Sequence, residues 1–444
     1  MMKRIFAGII LVLLLTGILA LAFDIKPVRA SGTIYIRADG SIDPPDAPIS
    51  TVDNFTYTFV GNISGSIVVE RDSIVVDGAD YTVGGGSGTG MDLSGRSNVT
   101  IQKTNIEGFD DGIYLSVSFN NSITENNITT DTFDRSIVLS DSSYNSITRN
   151  KITTNDAYGI SLYNSDYNSI IENIEIGSGI ELESSSNNNI SGNSMSGGGI
   201  SLSGSSNNNT LSGNNMSPGA VALVESSNNT FRGNNVTIGK GVDAIGVYLG
   251  GSNNVIDENN ITNSWAGIQL QYLSHNNIIS ENNITNNEYG IGGGSGLTVF
   301  SYNNTFSRNT IANNTEIGIH LYHAENTSLW GNIIADNKVG IMLDGMGSPS
   351  NNVLYHNNFL NNTNHVSAYE QYIWDDGYPS GGNYWNDYDG VDANHDGIGD
   401  TPYNMDRYPL MTPYIVPEFP ISLILPLFFI ATLLAVTVYR RKHP

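Results

Sequence analysis

The sequence predicts an all-β chain wound into a right-handed parallel β-helix, and three observations carry that prediction. The first is a phrase of the form Gly-Ile-x-Leu, a Ser/Asn turn, then Asn-x-Ile twice. It recurs with starts near Gly112, Ser136, Gly159, Gly179, Gly199, Ala220, Gly246, Gly267, Gly290, Gly318 and Gly340. A spacing of roughly 20–28 residues is that of a solenoid repeat. The second is period-two alternation in three short pieces per repeat, as in Ile180 and Leu182, then Ile190, then Met195. Such alternation marks strands with one buried face. No single repeat has enough apolar surface for a core, so stability has to come from stacking Ile on Ile and Leu on Leu. The third is Asn. The pairs Asn126-Asn127, Asn214-Asn215, Asn234-Asn235, Asn259-Asn260 and Asn282-Asn283 stand at equivalent places before the third strand. Asn tolerates the left-handed backbone of sharp corners, and Asn repeated at one place can hydrogen-bond along a stack. The right hand follows from the handedness of parallel crossovers.

Taken in order, residues 1–30 read as a secretion signal: Lys3 and Arg4, an apolar run from Ile5 to Leu21, and Val28-Arg29-Ala30 as a small-residue cleavage site. Residues 31–365 are the β-helix with its N-terminal cap, and 366–412 a C-terminal cap. Residues 413–420 are a linker containing a short motif, and 421–444 a transmembrane helix with a basic tail. Ile421 to Tyr439 is long and apolar enough to span a bilayer, and Arg440-Arg441-Lys442 follows as an internal stop. The motif Pro417-Glu418-Phe419 directly ahead of the span resembles the archaeal PEF-CTERM sorting signal. That resemblance implies an archaeosortase-type processing enzyme as partner and a lipid anchor in place of the helix; an ordinary single-span anchor is the other reading. Both put the repeats on the outer face of the cell membrane.

Composition fits that placement. The chain has no Cys, so neither disulfides nor thiolate metal sites are available. A formal charge of −24 excludes nucleic acid as a natural partner. Asn-x-Ser/Thr sequons at Asn62, Asn98, Asn127, Asn189, Asn235, Asn260, Asn283 and Asn326 predict a glycoprotein.

Ile67-Val68-Val69, Ile74-Val75-Val76-Asp77-Gly78, Ile106-Glu107-Gly108-Phe109, the Asn-rich coils and the closing Gly382-Asn383-Tyr384-Trp385 resemble the NosD-type β-helix family. The resemblance covers roughly Val60 to Leu410 and implies the fold rather than one activity. Family members include a periplasmic copper-maturation factor and many archaeal surface proteins. Related β-helices include carbohydrate-binding modules, polysaccharide lyases and glycoside hydrolases.

Five candidate sites follow. Asp392, Asn394, Asp396, the Ile398 carbonyl and Asp400, with Gly397 at the bend, reproduce the first part of a calcium loop. Tyr403 stands where a closing Glu is expected, so Asp387, Asp389 or Asp406 would have to complete the shell. Calcium is expected to be structural there. The outward residues of the first strand predict a sugar-binding face carrying Tyr114, Tyr163, Gln269 and Gln271, since rings supply apolar area and amides orientation. Glu181 and Glu183, as i and i+2 of a strand, lie about 6.5–7 Å apart, near the separation used by inverting glycosidases. Their Ser neighbours supply no apolar wall, which makes them weak catalytic candidates. His320, stacked one coil from Met342, is a weak copper candidate. The sorting motif is the fifth. The expected function is a structural or adhesive surface protein that binds envelope glycan or another polysaccharide. The alternatives are a β-helix lyase or glycoside hydrolase, and a NosD-like copper-handling protein.

Overall fold

The computed structural model describes residues 32–130, 135–154, 158–239, 244–271, 274–292, 301–344, 351–368 and 372–415. The predicted signal, the sorting motif and the transmembrane helix lie outside them. The chain divides into two compact units, Met1–Ile238 and Gly239–Pro444. Each is a stack of three-stranded coils, and no helix among the described residues is long and apolar enough to cross a membrane.

In the first unit, one sheet starts at Ile34–Ile36 and continues through Asp111–Ser116, Arg135–Ser140, Tyr158–Tyr163, Gly179–Glu183 and Ile200–Ser203 to Val221–Val224. The second sheet holds strands such as Ser122–Thr124 and Ser146–Thr148, and the third Asn127–Thr129 and Lys151–Thr153. The coil-to-coil pairings are parallel, with Ile137 on Ile160 on Ile180 and Leu139 on Leu162 on Leu182, and one bulge between Tyr158 and Ile160. Two antiparallel hairpins, Ile42–Asp43 on the first sheet and Ile49–Ser50 on the second, close the start of the stack. Those six stacked Ile and Leu residues are 0% exposed. At about 1.5–3 kcal/mol for each fully buried side chain, these columns are the main favourable term.

The second unit repeats the plan. Val247, Ile268, Ile291, Ile319 and Ile341 form one internal column, and Ile256, Ile279, Phe306, Leu329 and Leu354 another. Its third sheet runs on to Tyr384–Trp385, which pairs with Asn358–Leu360, so strand stacking extends past residue 365.

The repeat's opening Gly is a matter of space. A Cβ on Gly179 would lie 2.1 Å from the Gly199 carbonyl oxygen, and one on Gly199 only 1.7 Å from that of Ala220. The corners divide two tasks that the sequence assigned together to Asn. The fully buried Asn of each corner forms the ladder. Backbone N–H groups of Asn126, Asn150, Asn173, Asn193 and Asn214 each donate to the Oδ1 of the next, at 2.9–3.0 Å. The side-chain amide meanwhile donates to a carbonyl of the coil below, as Asn193 does to Ile170 at 2.9 Å. Asn121, Asn145, Asn168, Asn188 and Asn209 do the same at the other corner. In the second unit Asn259, Asn282, Asn309, Asn332 and Asn357 continue the pattern, and Asn287, Asn314 and Asn337 add a third ladder. The left-handed backbone falls on the residue just before the ladder Asn. Before the third strand this is Glu125, Arg149 or Glu172 (φ 57, 53 and 56°), not Asn.

Asn193→Ala removes the acceptor for the backbone N–H and amide of Asn173 and the donor to Ile170. With buried orphans costing about 1–3 kcal/mol each, the variant should lose about 3 kcal/mol or more. Asn127→Ala, at an exposed position of the third sheet three coils earlier, should change stability by less than about 0.5 kcal/mol. Chemical denaturation of the two variants checks the contrast.

Candidate functional site

The outward face of the first sheet carries the predicted columns in the predicted register: Tyr114, Val138, Ser161, Glu181 and Ser201 in one, and Ser140, Tyr163, Glu183 and Ser203 beside it. Pointing outward does not always mean facing solvent. Val138 is 3% exposed, Ser161 0% and Gln269 3%. Gln269 Oε1 is buried without a hydrogen bond, so Gln269 does not present its amide to a sugar; a pleat decides direction, whereas burial depends on what else crosses the face. Tyr114, Tyr163 and Gln271 are half-buried.

Around Tyr163 the residues form a polar cluster. Its hydroxyl donates to Glu181 Oε2 at 2.9 Å, and the Arg135 guanidinium carbon lies 4.9 Å from its ring centroid. Burial and the acceptor Glu181 push the Tyr163 hydroxyl up to about 12, so it stays a donor at any physiological pH. Arg135 enters this site two coils below Glu181, which spacing along the sequence did not reveal. Glu183 is exposed on the same face.

In the second unit His320 is the register partner of Met342, as expected from the stack. Among the described residues, no group of three or more His, Cys, Asp or Glu is arranged to hold a metal ion. The loop at 392–400 is held by its own carboxylates. Asp392 accepts from the N–H of Asp396 (3.2 Å) and Gly397 (2.9 Å), Asp396 from Ile398 (2.9 Å), and Asp400 from Ala393 (2.8 Å). The N–H of Ile398 holds the Asp396 carboxyl below the usual range. Gly397 takes φ +87°, the turn its position demands. Two of the three residues proposed to complete the shell are engaged elsewhere. Asp387 accepts from the Tyr403 hydroxyl at 2.8 Å and lies 3.2 Å from His365 Nε2. Asp406 is 1% exposed and ends the long ladder of the second unit: its Oδ2 accepts the N–H of Asn383 (2.7 Å) and the indole of Trp385 (2.9 Å). Burial wins over these donors and raises Asp406 to about 6. The Gly382-Asn383-Tyr384-Trp385 segment thereby becomes explicable. A Cβ on Gly382 would meet Asp406 at 1.9 Å, Asn383 continues the ladder, and Trp385 stacks on Phe359 at 4.2 Å.

One titratable group escaped the sequence reading. Glu175 occupies the inward place of a coil whose neighbours put Ile152 and Met195 there, and it is 0% exposed. Its Oε1 has no hydrogen bond, and its Oε2 has Ser178 Oγ at 3.4 Å. The signal was present: two residues after the second Asn of each repeat stands an apolar residue, except after Asn173. Ile174 and Ile176 flank it outward, 53% and 41% exposed. Burial raises the Glu175 carboxyl to about 8.

These features define a parallel β-solenoid with a half-buried polar cluster on one flat face. Compared with known families, residues 50–216 match the right-handed β-helix region, and residues 172–308 and 294–390 match the periplasmic copper-binding protein NosD. Both matches support a NosD-type right-handed β-helix. A search of curated proteins found no match. Among solved structures, the tailspike protein of E. coli bacteriophage HK620, in complex with a pentasaccharide, is similar over 76% of this chain and 71% of its own, at 13% identity and a TM-score of 0.50. A periplasmic alginate epimerase matches 73% of this chain and 79% of its own, at 14% identity and a TM-score of 0.36. Identities this low speak to the fold alone.

The raised carboxyl of Glu175 sets a pH dependence. A folded value above the unfolded one means that the fold favours the protonated form. The contribution is whole below the ordinary value of 4.5 and is lost as pH rises toward about 8. Asp406 acts in the same direction up to about 6. Melting temperature should therefore fall between about pH 5 and pH 9, and Glu175→Gln should remove most of the fall above about pH 6. Equal slopes for the two proteins would contradict this.

Proposed function

We propose that the chain is a surface protein of the cell envelope, structural or adhesive, that binds neutral carbohydrate on the first-sheet face of its first unit. The observation that carries this reading is the cluster of Arg135, Tyr163 and Glu181: a ring, a fixed phenol donor and a carboxylate acceptor on a flat β face. A sugar needs apolar area for its C–H face and polar groups that fix its hydroxyls, and this cluster supplies both. The charge of −24 favours neutral over acidic glycans. The terminal apolar runs and Pro417-Glu418-Phe419 support export and attachment to the outer face of the membrane. The accessible sequon residues, such as Asn127 and Asn283, support glycan modification.

Wild-type protein should bind neutral oligosaccharides on a glycan array, and Tyr163→Ala combined with Glu181→Gln should weaken that binding about tenfold or more, a loss of about 1.4 kcal/mol. Undiminished binding by the folded variant would remove the site. New reducing ends or unsaturated products from the wild type, absent with Glu181→Gln, would make the same face a hydrolase or lyase.

The 392–400 loop is proposed to take calcium as a structural ion, on the spacing of Asp392, Asn394, Asp396, Ile398 and Asp400. A chelator should lower the melting temperature of the wild type by several degrees, and Asp396→Ala should abolish that sensitivity. Identical melting with and without chelator would rule calcium out. The copper reading has one specific support, the cross-strand pair His320 and Met342. Those two ligands alone leave a copper shell incomplete.

A further inference from the structure

We propose a second sugar-binding site, at the corner between the first and second sheets of the first unit, built on the stacked rings of Tyr144 and Tyr167. It rests on the carbohydrate-binding reading but uses none of the residues assigned there. The left-handed residue at this corner is Asn98 ahead of Val99, and Asn120, Asn187, Asn208 and Asn228 ahead of a ladder Asn, with φ between 56 and 60°. Asn suits that left-handed conformation, whereas a bulky side chain is an outlier there. Ser73, at φ 58°, holds the same place, and only Tyr144 (φ 62°) and Tyr167 (φ 57°), in two consecutive coils, put a bulky side chain there. Their rings lie 5.0 Å apart and 3° from parallel, yet remain 57% and 50% exposed. One ring–ring contact is gained, while the backbone penalty is incurred twice and two large rings stay in water. Local rules broken without an evident structural return tend to mark functional positions.

The surroundings fit a sugar. Phe119, one coil below and one residue ahead of the file of Tyr144 and Tyr167, is 40% exposed and adds apolar surface at the same corner. Parallel to the rings runs a second left-handed file, Val117, Asp141 and Asn164, all three exposed. Backbone bonds fix the two files in step: Tyr144 donates to the Asp166 carbonyl at 3.2 Å and Asp141 to the Tyr163 carbonyl at 2.9 Å. The rings offer apolar area to the C–H face of a pyranose, and the Asp141 carboxylate and Asn164 amide stand beside them for the hydroxyls. Asp141 and Asp166 repel uronates and sulfated sugars, so the ligand class is a neutral oligosaccharide.

The corner supplies its own folding control, because Asn is what the neighbouring coils use. Tyr144→Asn with Tyr167→Asn should melt at or above the wild-type temperature and bind neutral oligosaccharides of glucose or N-acetylglucosamine at least tenfold more weakly. In the wild type, the same oligosaccharides should protect Tyr144 and Tyr167 from nitration, and an oligogalacturonate should not. Unchanged affinity of the double variant, or nitration unaffected by bound sugar, would overturn the site. If the wild type binds no oligosaccharide at all, the carbohydrate reading falls and takes this site with it. If binding responds to Tyr163 and Glu181 but not to the corner, only the corner is refuted.

Discussion

The buried Asn ladder is the constraint on which the rest of this structure depends. Each ladder Asn satisfies both a backbone N–H and a carbonyl of the preceding coil, groups that would otherwise be orphaned at a dry corner. Glu175 shows how strongly the ladder governs register. Slipping the third strand by one residue would bury Ile174 or Ile176 and release the carboxyl. It would also break the five bonds that Asn173 makes with Asn150, Asn193 and Ile147. Keeping a neutral carboxyl in the core at pH 7 costs ~3 kcal/mol, from a value raised to about 8. Orphaning several buried polar groups at about 1–3 kcal/mol each costs more. The ladder wins, and the acid stays inside.

A register fixed in this way makes the outer surface a lattice. Side chains two residues apart share a face, and equivalent residues of successive coils stand about 4.8 Å apart. Arg135, Tyr163 and Glu181 come from three successive strands and meet only because the coils are held in step. The same holds for Tyr144 and Tyr167 at the corner. Such surfaces are preorganised, so a ligand that matches them loses little binding energy to ordering the protein. In the second unit the ladder stops on Asp406, and the Trp385 indole shares that carboxylate. The closing aromatic segment is thus the terminus of the same polar column.

Much of this was legible in the sequence. The Gly-Ile-x-Leu phrase gave the first strand to within a residue or two, and His320 and Met342 stand one coil apart as expected. What the repeat could not give was exposure. Val138, Ser161 and Gln269 point outward and are nonetheless buried, because a pleat sets the direction of a side chain and not its cover. Asn was read as one residue with two roles, whereas neighbouring residues hold them, and Glu125 and Arg149 take the left-handed turn. Asp406 was placed near the cation loop by its proximity in sequence, but the ladder draws it into the core. The partnership of Arg135 with Tyr163 depends on side-chain reach across coils, which spacing alone does not report.

The most direct test of the account is amide hydrogen exchange of the whole protein with and without a neutral oligosaccharide. Added protection should be confined to the stretch from about residue 135 to residue 187, with the ladder amides already protected before the sugar is added. Protection that appears instead at residues 392–400, or ladder amides that become protected only in the presence of sugar, would contradict a preformed carbohydrate face.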